Sequence, residues 1–340
     1  MGRRQQETEG LWKPCATLLL ITFISCTVVY IVLSPLFKHH PPSSYSSEAS
    51  SHARFNLTEA HPGKNIKNGQ PECCRGRENL ELWGKVVKWG SDFKVNTPQE
   101  CCRACKSTCK EDGECLCNSW VFCGDKKRCG GKFGECWLKQ QEDPLYPEEH
   151  DSAMVSEWTS GLIFKKGVGI VALETGQGKI HIKLLPDCAP RSVAYMFQLL
   201  RLRHCAGCEF YRAEKRGNNW DINGNHISQS SQGPPYALLQ GTLEAQGLNF
   251  EEIPKETCPS IKRGSVAWVD GGPEFFISLA NHDEWDRKYT VFASVLPEDM
   301  AIVEEIVELP TQLAIWSGIK VAVLEKQISL RVKRAANVET

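Results

Sequence analysis

Cysteine is the residue type with the most evident chemistry in this sequence. The chain has 340 residues and seventeen cysteines, and eleven of these lie within residues 73–136. Cysteines can hold zinc as thiolates or oxidise in pairs to disulfides. The spacings Cys102-x-x-Cys105 and Cys115-x-Cys117 partly fit zinc, whereas so dense a block in an oxidising compartment favours disulfides. We predict a disulfide-stapled domain; because eleven is odd, at least one cysteine is free, pairs with the C-terminal half or bridges two chains.

A second group of cysteines lies further along the chain. Cys205-Ala-Gly-Cys208 has the spacing of a redox motif, but it follows a predicted helix and leads into a strand, the reverse of the thioredoxin-like order. A structural pairing is therefore predicted among Cys188, Cys205, Cys208 and Cys258.

The elements that position the first block can be predicted locally. Residues 97–100, Thr-Pro-Gln-Glu, form a capping box with proline at the first helical position, so a helix should begin at Thr97. Its cysteines would be Cys101, Cys102, Cys105 and Cys109, the first, third and fourth of them on one face. Strands at 118–123 and 135–139 should pack on that face. The pattern resembles the PAN/apple module, which implies a small disulfide-rich α+β domain over residues 70–142.

The N-terminal part has the composition of a membrane anchor and a stem. Residues 15–37 carry no charge and are long enough to span a bilayer, and the alternative, a cleaved signal peptide, has a shorter apolar core. Basic residues precede the span, so residues 1–14 should be a cytoplasmic tail. Residues 38–68 are a predicted flexible stem with a glycosylation sequon at Asn56. We expect a single-pass type II protein of the Golgi or another secretory membrane, with a lumenal C-terminal domain.

Composition also excludes some functions. The formal net charge is −1, which gives no footprint for nucleic acid. A type II glycosyltransferase would share the anchor and stem, but the sequence has no Asp-x-Asp metal site of the kind many of them use. No cofactor or metal is expected.

The C-terminal half is predicted to be mainly β. Apolar runs at 264–269, 274–279 and 289–295 are separated by short turns, which favours an antiparallel sheet or barrel. Runs at 168–175 and 178–185 flank a Gly-Gln-Gly turn and predict a hairpin. A helix with an apolar face should follow.

Three segments of this half resemble the cyclophilin family. They are 186–193 (Pro-Asp-Cys-Ala-Pro-Arg-Ser-Val), 264–278 (Gly-Ser-Val-Ala-Trp-Val-Asp-Gly-Gly-Pro-Glu-Phe-Phe-Ile-Ser) and 285–292 (Trp-Asp-Arg-Lys-Tyr-Thr-Val-Phe). The resemblance implies a cyclophilin-like antiparallel β-barrel with capping helices over residues 160–330.

The resemblance also implies a catalytic pair. The arginine of the family's "Phe-(His/Tyr)-Arg" motif corresponds to Arg212, and the glutamine that steadies it corresponds to Gln240. In the family the guanidinium hydrogen-bonds the prolyl amide and weakens its conjugation, which supplies most of a barrier of about 18–20 kcal/mol. The segment between them, 213–236, is longer than usual; a surface insertion is favoured over a specificity element.

Substrate-binding residues follow from the same resemblance. They are Leu238, Asp270, Glu274, Phe276, Trp285 and Tyr289. Ala237 stands where the family has an aromatic wall, and Glu284 where it has a pocket tryptophan, so the pocket should be weakened. The alternative for Leu238 and Phe276 is barrel core, where strand aromatics usually lie.

Two functional hypotheses remain open. The first is a weak, membrane-anchored peptidyl-prolyl isomerase acting on proline-containing polypeptides of the secretory pathway. The second is a non-catalytic module in which the barrel and the PAN-like domain hold a peptide or glycan.

Overall fold

The structure is a computed structural model that describes residues 73–110, 113–150, 156–228, 233–256, 260–285 and 287–335. The predicted tail, anchor, stem and glycosylation site at Asn56 lie outside these residues. In the described part of the chain, no helix is long and apolar enough to cross a bilayer.

The N-terminal described domain is a five-stranded antiparallel sheet with a helix on one face. Its strands lie in the order β1-β5-β3-β4-β2. The strands are Arg77–Glu78 (β1), Lys85–Lys88 (β2), Ser119–Cys123 (β3), Cys136–Gln140 (β4) and Trp158–Leu162 (β5), and the helices are Pro98–Lys106 (α1) and Lys126–Cys129 (α2).

Helix α1 begins where the capping box predicts. The Thr97 hydroxyl accepts from the backbone N–H of Glu100 at 3.2 Å, and the Glu100 carboxylate accepts from the N–H of Asn96 at 2.8 Å. The helix ends at Lys106, so the prediction that it also carries Cys109 is wrong. Its buried face carries Cys101 and two neighbouring cysteines against the sheet.

All eleven cysteines of the block form disulfides, as predicted. Five bonds lie within the block: Cys74–Cys102, Cys101–Cys136, Cys105–Cys117, Cys109–Cys115 and Cys123–Cys129. The eleventh cysteine, Cys73, pairs with Cys188 in the C-terminal half, which accounts for the odd number. Cys205 pairs with Cys208. The prediction that Cys188 pairs within the later group is therefore wrong, and Cys258 lies outside the described residues.

The C-terminal domain is a ten-stranded antiparallel sheet with two helices. Its order is β13-β14-β8-β9-β11-β10-β12-β7-β6-β15. The strands are Ile170–Glu174 (β6), Lys179–Leu184 (β7), Glu209–Glu214 (β8), Leu238–Thr242 (β9), Ser265–Trp268 (β10), Glu274–Ser278 (β11), Val291–Val295 (β12), Thr311–Trp316 (β13), Ile319–Ser329 (β14) and Arg331–Arg334 (β15), and the helices are Pro190–Arg201 (α3) and Met300–Val307 (α4).

The sheet closes into a barrel through its last two strands. Only Leu330 separates β14 from β15; β14 pairs with β8, whereas β15 pairs with β6 at the opposite end of the strand order. The eight strands from β14 to β6 in this order therefore form a ring, which β15 closes by continuing from β14 and pairing with β6. Strand β13 lies outside the ring and forms a hairpin with β14. The predicted mainly β fold with helices is confirmed.

Alternation along the strands separates two apolar clusters. Phe275 belongs to the barrel core, where Trp268 stacks on Phe292 with ring centroids 4.2 Å apart. Phe276, the next residue, belongs with Leu238 to a second cluster on the other face of the sheet. Because successive side chains of a strand point to opposite faces, adjacent phenylalanines serve different sides of the barrel wall.

The two domains are joined by covalent and polar contacts near Asp187. Besides the Cys73–Cys188 bond, the N–H of Arg75 donates to the Asp187 carbonyl at 2.8 Å, and Lys106 forms an ion pair with the Asp187 carboxylate at 2.7 Å. The buried strand β3 also contributes to both apolar clusters. Trp120 and Phe122 pack with the cysteines of helix α1, whereas Val121 belongs to the core that continues into the barrel domain.

Candidate active site

The structure brings Arg212 and Gln240 together on neighbouring strands. Arg212 lies on β8 opposite Gln240 on β9. The register shifts between Phe210 and Arg212, so Tyr211 is the extra residue of a β-bulge. The Nη1 of Arg212 donates to Oε1 of Gln240 at 2.7 Å, and Nε2 of Gln240 donates to the Tyr211 hydroxyl at 2.8 Å. The Gln240 amide is thereby oriented from both ends.

A second group on the arginine, Glu214, was not predicted from the sequence. Its Oε1 accepts from Nε of Arg212 at 2.9 Å and from Nη2 at 2.7 Å. The side chain of Glu214 is 2% exposed and that of Arg212 is 12% exposed. The spacing i, i+2 on one strand is the signal that could have found this pair, since it places both side chains on one face.

Two aromatic rings lie beside the guanidinium. The carbon Cζ of Arg212 is 5.8 Å from the ring centroid of Tyr236 and 5.5 Å from that of Trp316, distances typical of cation–π contact. Trp316 ends strand β13 and also lies 6.1 Å from the ring of Tyr211. Neither Tyr236 nor Trp316 was predicted as a site residue.

Next to the arginine lies the second apolar cluster, with Phe276 at its base. The Phe276 ring meets Trp285 and Tyr289 edge to face, with centroids 5.7 and 5.3 Å away. Tyr236 lies 5.9 Å from Trp285. Phe276 is only 2% exposed, so the surrounding rings present the accessible apolar surface of this site.

The predicted gap at Ala237 is bordered by an aromatic ring from the preceding residue. Ala237 is fully buried in the barrel core and has a φ of +51°. Its unusual backbone turns the chain so that Tyr236 joins the cluster around Phe276 instead. An aromatic ring is therefore present beside Arg212 although the sequence position of the wall is alanine.

Behind Trp285 lies a buried histidine. The ring of His282 stacks on Trp285 at 3.7 Å, and its Nδ1 lies 2.6 Å from Oε1 of Glu284. Burial lowers the pKa of His282 below its ordinary value, although hydrogen bonding and charge attraction from Glu284 oppose the shift. Glu284, at the family's tryptophan position, thus holds the histidine that supports Trp285.

The 213–236 segment supports the site on this same side. Trp220 is 4% exposed and meets His282 edge to face at 4.6 Å. The amide of Asn281 donates to the side-chain oxygen of Asn225 at 2.8 Å. Most described residues of this segment are exposed or partly exposed, as a surface insertion predicts, but Trp220 packs behind the apolar cluster.

Two predicted acidic residues, Asp270 and Glu274, act on different tyrosines of the site. Asp270 is exposed in the turn after β10; burial raises the pKa of Tyr289, and the charge of Asp270 adds to that rise. Glu274 lies two residues before Phe276 on β11, and its charge adds to the rise that burial produces in the pKa of Tyr211. Among the described residues, no three His, Cys, Asp or Glu side chains are grouped to hold a metal ion.

Comparison with known proteins gives two family matches. The model described as "Cyclophilin type peptidyl-prolyl cis-trans isomerase/CLD" matches residues 170–326, and the PAN domain model matches residues 80–139. Both lie within the two structural domains.

Curated relatives match the barrel region. Peptidyl-prolyl cis-trans isomerase-like 3 of Gallus gallus is 28% identical over 145 residues, covering 41% of this chain and 83% of that protein. Peptidyl-prolyl cis-trans isomerase-like 2 of Neurospora crassa is 29% identical over 136 residues, covering 38% of this chain but 21% of that protein. Peptidyl-prolyl cis-trans isomerase 10 of Caenorhabditis elegans is 29% identical over 141 residues, covering 40% and 80%.

Solved cyclophilins are also similar. A cyclophilin-type isomerase of Cryptosporidium parvum has 15% identity and a TM-score of 0.34, covering 49% of this chain and 99% of that one. The family models therefore identify a cyclophilin-type peptidyl-prolyl cis-trans isomerase domain at residues 170–326 of this chain and a PAN domain at residues 80–139.

Proposed function

We propose that the barrel is a weak peptidyl-prolyl cis-trans isomerase in which Arg212 is the catalytic residue. The observation that carries the proposal is the hydrogen bonding of its guanidinium. A guanidinium has five N–H groups, and Glu214 and Gln240 engage three of them. One N–H on each Nη atom remains to meet a prolyl amide beside the aromatic cluster.

The chemistry follows from the conjugation of the peptide bond. A donor directed at the prolyl nitrogen favours its pyramidal form, in which the lone pair no longer conjugates with the carbonyl. Because Arg212 is largely shielded from water, its charge stabilises that form more strongly than an exposed arginine would. Gln240 keeps the guanidinium in place during rotation.

Weak activity is expected because the apolar floor is covered. With Phe276 only 2% exposed, a prolyl ring reaches it only when Tyr236, Trp285 or Tyr289 moves aside. Such a movement separates packed aromatic rings, whose contacts contribute about 0.5–1.5 kcal/mol per pair beyond burial. The substrates would be proline-containing polypeptides, with Leu238, Asp270 and Glu274 bordering the bound chain.

The test compares the purified chain with Arg212→Ala in a protease-coupled or exchange-NMR assay of a proline peptide. We expect the variant to lose roughly 100-fold in kcat/KM, the scale for removing one preorganised donor. Arg212→Lys is the matched control: it keeps the charge without the planar fork, so it should recover little activity. Equal rates for all three proteins, with the peptide still bound, would reject the isomerase.

A second candidate, a binding module, is favoured by the same covered floor and by the PAN domain. Trp83 and Trp89 flank the edge strand β2 and are 50% and 59% exposed. Half-exposed aromatic rings of this kind can stack on a peptide or glycan ligand. Retained ligand binding by Arg212→Ala together with its loss in Trp83→Ala and Trp89→Ala would support this candidate.

We further propose that the protein is a type II membrane protein of the Golgi or another secretory membrane, where it assists the folding of secretory proteins. The uncharged run 15–37 and the dense disulfides of the PAN domain support this placement. Protease treatment of intact microsomes should leave the C-terminal domains undigested, and Asn56 should carry a glycan. Complete digestion would show that the orientation is the reverse of the one proposed.

A further inference from the structure

Glu214 is a buried carboxylate on the barrel wall, and both of its oxygens accept hydrogen bonds. Oε1 accepts two hydrogen bonds from Arg212, and Oε2 accepts one from the backbone N–H of Tyr236 at 2.7 Å. A carboxylate that is 2% exposed is costly to bury without such partners. Glu214 therefore links the guanidinium to the strand entry that carries the aromatic ring beside it.

The three contacts on the guanidinium restrict its orientation. Glu214 holds it along the Nε–Nη2 edge, and Gln240 holds Nη1 from the neighbouring strand. Three hydrogen bonds from two sides fix a planar group in rotation as well as in place. The same carboxylate fixes Tyr236, whose ring lies 5.8 Å from Cζ of the arginine.

We propose that Glu214 is a positioning residue for Arg212, and this inference rests on the proposed isomerase function. Its carboxylate sets the plane of the guanidinium and the place of Tyr236, so that the two remaining N–H groups face the prolyl amide. Glu214 does not itself contact the substrate. It acts through Arg212, and this dependence separates it from an ion pair that only stabilises the fold.

The experiment uses the full chain and a double-mutant cycle. Glu214→Gln leaves the side-chain length unchanged, but it removes the charge beside the guanidinium, and its single amide oxygen cannot accept from both Arg212 and the Tyr236 N–H. We expect kcat/KM to fall about 10- to 100-fold, the scale of a displaced catalytic group, with the loss in kcat and not in KM. Glu214→Asp keeps the charge but not the reach and should lose activity as well.

The decisive comparison is with Arg212→Ala. If Glu214 acts through the arginine, the double variant Arg212→Ala/Glu214→Gln has the same kcat/KM as Arg212→Ala alone. Losses that add in the double variant would overturn the proposal in favour of a structural role. Glu174→Gln is the matched control, because Glu174 is an ion-paired glutamate on barrel strand β6, 3.0 Å from Lys179 and away from the site.

Failure of the inference and failure of the function give different results. An active wild type with an equally active Glu214→Gln overturns the positioning role and leaves the isomerase standing. If the wild type has no Arg212-dependent turnover, the proposed function is rejected. Hydrogen exchange at the Nε–H of Arg212 then tests whether Glu214 restrains the guanidinium. Slow hydrogen exchange at that N–H, made faster in Glu214→Gln because a neutral amide oxygen is a weaker acceptor than a carboxylate, supports the restraint by Glu214, whereas identical exchange in both proteins overturns it.

Discussion

In the PAN domain, six of the ten residues in the buried cluster against helix α1 are cysteines. In the barrel, the corresponding positions are aromatic and aliphatic, such as Trp268, Phe275 and Phe292, each fully buried. The difference follows from size. A small sheet covered by one short helix buries too little apolar surface to offset its chain entropy, so crosslinks limit the unfolded state instead. The barrel encloses enough apolar surface to be stable by burial.

Reduction of the disulfides should have the largest effect on stability, and the two domains should respond differently. Each native disulfide of a small domain contributes about 2–5 kcal/mol, so losing five together should unfold the PAN domain. Hydrogen exchange with and without reductant measures this. We expect amides of β3 and β4 to lose protection while those of β10 to β12 keep theirs. Loss of protection in both domains together would show that their stabilities are not independent.

Truncation in the barrel core should have the next largest effect. Phe292 is fully buried and stacks on Trp268, so Phe292→Ala leaves a cavity and should lower the free energy of unfolding by about 3–5 kcal/mol. Denaturant unfolding measures the change. Leu313 is 79% exposed and is the matched control, since Leu313→Ala should change stability by less than about 0.5 kcal/mol. Similar losses for the two variants would contradict the assignment of the core.

Individual disulfides should differ according to the loop they close. Cys101–Cys136 spans 35 residues and Cys205–Cys208 spans 3. By loop-closure entropy, the paired serine substitutions should cost about 4 and about 1.5 kcal/mol respectively. Urea unfolding of the two double variants gives the comparison. A larger loss at the 205–208 pair would mean that the barrel, too, depends on its crosslinks.

Several features of the fold and site were predictable because their signals are local. The capping box fixes the start of α1, and alternation in 264–278 separates Phe275 from Phe276. The pairing of Arg212 with Gln240 follows from the family motif, because adjacent barrel strands carry them. The preference for disulfides over zinc came from the cysteine density and odd cysteine count together with the oxidising compartment that the N-terminal anchor predicts.

Other features depend on the tertiary path of the chain. Trp316 reaches Arg212 only because β14 pairs with β8 and carries the hairpin strand β13 beside it. Tyr236 replaces the missing wall because Ala237 adopts a positive φ, which no pattern of residue types announces. The Cys73–Cys188 bond joins positions 115 residues apart, and spacing cannot specify such a pair.

The smallest predicted effect is on pH dependence, and it concerns a buried histidine of the barrel domain. His282 is fully buried, and burial lowers the pKa of its imidazole below 6.5 in the folded state. As pH falls through about 6.5, the unfolded chain therefore takes up a proton before the folded chain does. The free energy of unfolding must decrease from that pH down to the folded-state pKa.

His282→Gln removes this titration while keeping a polar side chain next to Glu284. We expect the variant to be less stable than the wild type at pH 7.5, because the stacking on Trp285 at 3.7 Å is lost, but to lose less stability between pH 7.5 and 5.5. Urea unfolding at the two pH values gives the four free energies. His204 is exposed, so His204→Gln should follow the wild type at both. An unchanged pH dependence in His282→Gln would mean that the buried histidine is not the group that couples protonation to the packing of Trp285.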